Sequence, residues 1–189
     1  MTSSNLSASA PTLATAPAAD ATASVAAANS AALAKPTATG QTPCAIWFLN
    51  GPNANLYGLD ANNVYGTDSF PVLRERCERK AAALQVNLTF LQSNYEGQLI
   101  DWIQEARAEA QGIIINAAGL TYTSIPLLDA LLSFPGRIIE VHMSNIWRRE
   151  PFRHNSFISK AADGVIAGLG GQGYELAVGA MAHLIRPAP

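Results

Sequence analysis

The chain has few of the residues that build metal centres and disulfide frameworks. Two cysteines, Cys44 and Cys77, and three histidines, His142, His154 and His183, are spread over 189 residues. Two thiols are too few for a disulfide scaffold or a four-ligand zinc site, and no histidine pair has HExxH spacing. Basic residues are also scarce: 12 Lys and Arg stand against 14 Asp and Glu, for a net charge of −2. A basic surface that holds nucleic acid is therefore not expected. No apolar run reaches the roughly 18 residues of a transmembrane helix, so no membrane span is expected. The length leaves room for one domain with an appendage.

Residues 1–42 differ in kind from the rest. They contain 15 Ala, 6 Ser, 7 Thr and 3 Pro, and their only charges are Asp20 and Lys35. Alanine favours helix, but the Ser, Thr and Pro interruptions leave no apolar stripe that could pack. The segment reads as a disordered tail. It lacks the basic start and apolar run of a secretory signal, and the arginines of a mitochondrial transit peptide. Its composition is compatible with a plastid-type transit peptide. A tail without a targeting role, and a cytoplasmic protein, is the simpler expectation.

From residue 43 to 189 the pattern changes to short apolar runs alternating with amphipathic ones. Residues 45–49 form a buried strand pattern that ends at Asn50-Gly51-Pro52-Asn53. After the 51–67 loop, Asp68 or Ser69 can cap a helix with Phe70, Leu73, Cys77 and Leu84 turned inward. Residues 86–92 alternate as a strand, and 94–110 read as a helix with Leu99, Ile103 and Ala106 on one face. Further strands are expected at 112–116, 137–142 and 164–169, with helices at 124–134 and 173–185. Strands alternating with helices imply a parallel sheet covered on both faces. The expected fold is a flavodoxin-like three-layer α/β/α sandwich with a five-stranded parallel sheet.

In such sheets, ligands bind beyond the carboxyl ends of the strands. Those ends carry Asn50 and Asn53, Asn116, and Glu140 with His142. Glu140 and His142 are two apart on one strand, so both side chains point to the same face. A carboxylate beside an imidazole can fix its tautomer and favour its cation, which suits a general acid. Arg148, Arg149 and Arg153 follow closely and suit a carboxylate or phosphate substrate. Each feature also has a structural explanation: a capping asparagine, a core histidine, a solvated ion-pair loop. The glycines of 168–173 lack the Lys-Ser/Thr of a phosphate loop and read as a tight turn.

Several stretches together carry a family resemblance. These are Leu49-Asn50-Gly51-Pro52-Asn53, Val64-Tyr65-Gly66, Gln92-Ser93-Asn94-Tyr95-Glu96-Gly97 and Ile115-Asn116-Ala117. They continue with Ile139-Glu140-Val141-His142-Met143-Ser144-Asn145-Ile146, Arg149-Glu150-Pro151-Phe152-Arg153-His154, Gly168-Leu169-Gly170 and Gly173-Tyr174. In this order, across residues 44–186, the chain resembles type II 3-dehydroquinate dehydratase. The resemblance implies dehydration of 3-dehydroquinate to 3-dehydroshikimate with no metal or organic cofactor. It implies Tyr65 as the base beside the ketone, Asn53 holding a water on the enolate, and His142, oriented by Glu140, as general acid. Asn116, Tyr122 and Arg153 would bind the substrate, with the Met143 and Ser144 amides on its carboxylate. Asp129 would enter a neighbouring subunit's site, in trimers that build a dodecamer.

The chain departs from the family at three positions. Asp60 stands where the family keeps the arginine that favours ionisation of its tyrosine, and Tyr122 stands where it usually has histidine. Leu128 replaces an arginine that commonly precedes the aspartate. A free phenol is only about 0.1% ionised at pH 7, and a nearby carboxylate disfavours ionisation further. Arg148 or Arg149 could supply the missing charge. Two other readings stay open on sequence alone: a homologue that binds quinate-like carboxylates without efficient turnover, and a flavodoxin-like carrier. Biosynthetic and quinate-degrading roles share the same chemistry.

Overall fold

A computed structural model of the protein describes residues 44–59 and 65–186. The expected tail at 1–42 and Asp60 lie outside the described residues.

Five strands form one parallel sheet. They are β1 (Ala45–Asn50), β2 (Asn87–Gln92), β3 (Gly112–Asn116), β4 (Arg137–His142) and β5 (Gly164–Ala167). Their order is β2-β1-β3-β4-β5, the doubly wound arrangement expected from the alternation. Four helices cover the sheet: α1 (Phe70–Ala83), α2 (Glu96–Glu109), α3 (Ile125–Leu132) and α4 (Gly170–Leu184). None is long and apolar enough to cross a membrane.

Strand periodicity divides the core in two. Ile46, Phe48, Ile114, Ile139 and Val141 face Leu73 and Cys77 of α1 and Tyr174, Val178 and Met181 of α4. The alternate residues Trp47, Leu49, Ile113, Ile115 and Ile138 face Leu99 and Ile103 of α2 and Leu127 and Leu131 of α3. Burying one large aliphatic side chain contributes about 1.5–3 kcal/mol. The three isoleucines of β3 are fully buried. Their β-branched side chains suit a central strand covered on both faces.

Local chemistry sets the helix ends, and in places it differs from the sequence reading. Ser124 caps α3 by accepting from the Leu127 N–H at 2.9 Å. At the start of α1, Ser69 occupies the cap position without a side-chain cap bond. Asp68 instead pairs with Arg76, which also reaches Glu175 on α4 and ties the two helices together. Helix α4 begins at Gly170, three residues earlier than expected. Gly171 there lies against α1, where a Cβ would come within 2.5 Å of Leu73 Cδ2. The glycines therefore permit a close helix–helix approach as well as a turn.

Candidate active site

The carboxyl ends of β1, β3 and β4 share one edge of the sheet, beside the β1/β3 boundary where the winding reverses. Gly51 leaves β1 so close to β3 that a Cβ would lie 2.6 Å from the Ala117 carbonyl oxygen. Its N–H donates to Asn116 O at 2.8 Å. The next turns hold two non-glycine residues in left-handed backbone, Asn53 at φ 67° and Ala118 at φ 52°. Such conformations cost of order 1–3 kcal/mol and cluster at functional sites. Asn53 is held there by its N–H, which donates to Asn94 Oδ1 at 2.9 Å. Gln92, at the end of β2, donates to the same oxygen at 3.0 Å.

A cavity of about 170 Å³ opens on this edge. Its wall contains Asn53, Tyr65, Tyr122, His142, Met143, Ser144 and Arg153, seven of the residues named from the sequence. Pro52, Tyr57, Ala118, Gly119, Ile146 and Arg149 complete it. Glu140 lies behind His142, fully buried, with Oε1 2.7 Å from His142 Nε2. Burial alone would raise the Glu140 carboxyl. Hydrogen bonds from His142 and Ser159, the charge of His142 and a hydrogen bond from Ser156 outweigh it and hold the group below its ordinary value. Tyr122 stacks on the imidazole, with centroids 6.4 Å apart and planes at 14°. Arg153 caps the outer face of that ring, its Cζ 5.5 Å from the centroid. Burial raises the Tyr122 phenol in spite of this cation, so it acts as a neutral hydrogen-bonding group.

Arg149 crosses to the opposite wall. Its Nη1 lies 3.4 Å from both the Tyr65 hydroxyl and Ser144 Oγ. The guanidinium is raised, first by its hydrogen bond to Tyr65. Glu150 accepts from Arg153 at 2.8 Å and lies 3.5 Å from Arg149, spacing the two cations. Arg148, the other arginine considered from the sequence, is exposed and borders a neighbouring hollow with Tyr65, Asn145 and Gly168.

Asn116 does not line the cavity. It is buried below it, with Nδ2 donating to Tyr57 OH at 2.9 Å and to Tyr174 OH at 2.8 Å. Tyr174 OH in turn donates to Asn50 Oδ1 at 2.8 Å. Burial pushes the Tyr57 phenol up to about 12 and raises Tyr174 well above its ordinary value. The floor is thus a neutral, fully hydrogen-bonded network. Asp129 is exposed on α3 and absent from the wall of its own chain's cavity. Sequence reasoning gave no role to Asn94, Ser156 or Ser159. Asn94 and Ser156 lie on loops and Ser159 in the short 3-10 turn Ile158–Lys160, where no periodicity marks them.

The cavity at the carboxyl ends of the strands, with the buried Glu140–His142 pair behind it, is a candidate active site on a doubly wound α/β fold. The family described as Dehydroquinase class II matches residues 44–182, and the chain belongs to it. A 3-dehydroquinate dehydratase of Bartonella henselae is 50% identical over 133 residues, covering 70% of this chain and 90% of that enzyme. One from Streptomyces coelicolor is 49% identical over 140 residues, 74% of this chain and 89% of that one. The crystal structure of the type II dehydroquinase of Butyrivibrio crossotus superposes with a TM-score of 0.73 at 36% identity. That superposition covers 75% of this chain and 99% of the other.

Proposed function

We infer that the protein is a 3-dehydroquinate dehydratase, a lyase that converts 3-dehydroquinate to 3-dehydroshikimate. The observation that carries this reading is the placement of Tyr65, the Glu140–His142 pair and two arginines around one cavity. The ionised Tyr65 removes the proton next to the ketone, and the electron pair moves to the carbonyl oxygen. A water held by Asn53 stabilises that enolate. As the enolate collapses, the carbon–oxygen bond to the leaving hydroxyl breaks, and His142 protonates the departing oxygen to release water. Arg153 and the Met143 and Ser144 amides bind the carboxylate, and Tyr122 supplies a hydrogen bond. Asn116, expected to bind the substrate, lies below the wall and fixes the Tyr57 hydroxyl that lines it.

Arg149 is the cation that favours ionised Tyr65, the role that the family's arginine has at the position of Asp60. Asp129, exposed and absent from the wall of its own chain's cavity, is assigned to a neighbour's site, in trimers that assemble into a dodecamer. Ile125 and Leu132, 55% and 60% exposed on the same helix, supply apolar surface for that contact. A cytoplasmic location and a place in shikimate biosynthesis fit a soluble carboxylate substrate; quinate degradation would use the same step. The test is the purified protein with 3-dehydroquinate, following the conjugated-enone absorbance of the product. No rise above background rejects the reading, and binding without turnover points to a ligand-binding homologue.

A further inference from the structure

Glu140 has no exposed surface, and three donors converge on its two oxygens. His142 Nε2 and Ser156 Oγ both lie 2.7 Å from Oε1, and Ser159 Oγ meets Oε2. Ser156 Oγ accepts the Ser159 N–H at 3.0 Å and donates to Glu140 Oε1. Ser159 Oγ has no acceptor other than Glu140 among the described residues. An ionised carboxylate is a pure acceptor and satisfies all three, whereas a protonated one would oppose a donor with its own hydrogen.

The imidazole follows from this. Against an ionised Glu140, His142 Nε2 must carry hydrogen, which leaves Nδ1 as the nitrogen available to the cavity. We propose that Ser156 and Ser159 are positioning residues that orient the Glu140–His142 pair and fix which imidazole nitrogen serves the substrate. The role rests on the dehydratase reading of the site. In the reaction, the imidazolium gives its Nδ1 proton to the leaving hydroxyl and returns to the neutral Nε2–H form, still bonded to Glu140.

The serines are well placed for this. They lie just after the segment that carries Arg149 and Arg153, and are clamped by the Phe157 N–H on Thr121 O at 2.9 Å and by buried Ile158. The strand neighbours of Glu140 are apolar, Ile115 on β3 and Val165 on β5. Among the described residues, the titratable or charged groups that share the cavity with His142 are Tyr57, Tyr65, Tyr122, Arg149 and Arg153, with Tyr122 stacked on the imidazole and Arg153 beyond it.

Two measurements on the full chain test the proposal with Ser156→Ala, Ser159→Ala and the hydroxyl-retaining Ser159→Thr. The first is melting temperature against pH and needs no turnover. The held carboxylate contributes stability above its unfolded value, ordinarily 4.5, and loses it as pH falls through the lower folded value. The alanine variants should therefore melt below wild type at about pH 7, with the gap narrowing only as pH falls below about 4.5. A gap that does not change with pH means ordinary packing and overturns the proposal. The second is kinetic: kcat for 3-dehydroquinate should fall about tenfold per lost hydroxyl. KM should stay within about twofold, and Ser159→Thr should recover most of the rate. Unchanged kcat beside an active wild type overturns the proposal as well. An inactive wild type counts against the dehydratase reading instead, and the melting profiles still decide the serines.

Discussion

Arg149 places its guanidinium Nη1 3.4 Å from the Tyr65 hydroxyl, with its Cζ 5.7 Å from that ring's centroid. The hydrogen bond is long, and charge attraction adds to it. A guanidinium this close stabilises negative charge on the phenol oxygen. Arg149→Ala should then lower kcat by about tenfold or more. Arg148→Ala, which removes an exposed side chain, should change kcat much less. Equal effects of the two substitutions would refute the assignment.

Asp60→Arg introduces the residue type that the resemblance implies for that position. If Arg149 already supplies the charge, the gain in kcat for Asp60→Arg should be small in wild type. It should be larger in an Arg149→Ala background. The comparison is a double-mutant cycle on kcat, and additive effects would show that the two positions do not share a role.

Glu140→Gln should lower kcat by about a hundredfold with little change in KM. A carboxamide turns one acceptor into a donor that faces Ser156, Ser159 or the imidazole. His142→Gln should cost at least as much, and the double variant no more than the worse single one, because the pair acts as a unit. Steady-state kinetics at several pH values checks all three.

Tyr174→Phe should destabilise the protein more than Tyr57→Phe. Loss of the Tyr174 hydroxyl leaves Asn50 Oδ1 without its donor and Asn116 Nδ2 without one acceptor. Loss of the Tyr57 hydroxyl removes one acceptor from Asn116 alone. At about 1–3 kcal/mol for each buried group left unpaired, the two should be distinguishable by urea denaturation.

Gly51→Ala places a Cβ against the Ala117 backbone, which cannot rotate away. The strand end must shift, at a cost of about 1–3 kcal/mol. Asn53, two residues further on, should shift with it. Both the denaturation midpoint and kcat should fall, whereas Gly97→Ala, where a Cβ meets nothing within 4 Å, should leave kcat unchanged.

Much of this molecule was legible in its sequence because the relevant signals are local and periodic. Period-two apolar runs and amphipathic stretches placed all five strands and four helices, and the parallel sheet followed from their alternation. The Glu140–His142 pair was readable because two residues on one strand must share a face. The motif resemblance supplied the residues that now line one cavity, from Asn53 to Arg153. What sequence alone could not decide was which long side chain meets which partner across the fold. Arg148 and Arg149 were equivalent as letters. The 3-10 turn at Ile146–Arg148 sends Arg149 into the cavity and leaves Arg148 outside. Asn116 was legible as a strand-end polar residue, yet tertiary packing commits it to Tyr57 and Tyr174, which lie 59 and 58 residues away. Ser156 and Ser159 carry no pattern at all. Their effect on Glu140 exists only because the chain folds back over β4 and brings hydroxyls to a fully buried carboxylate.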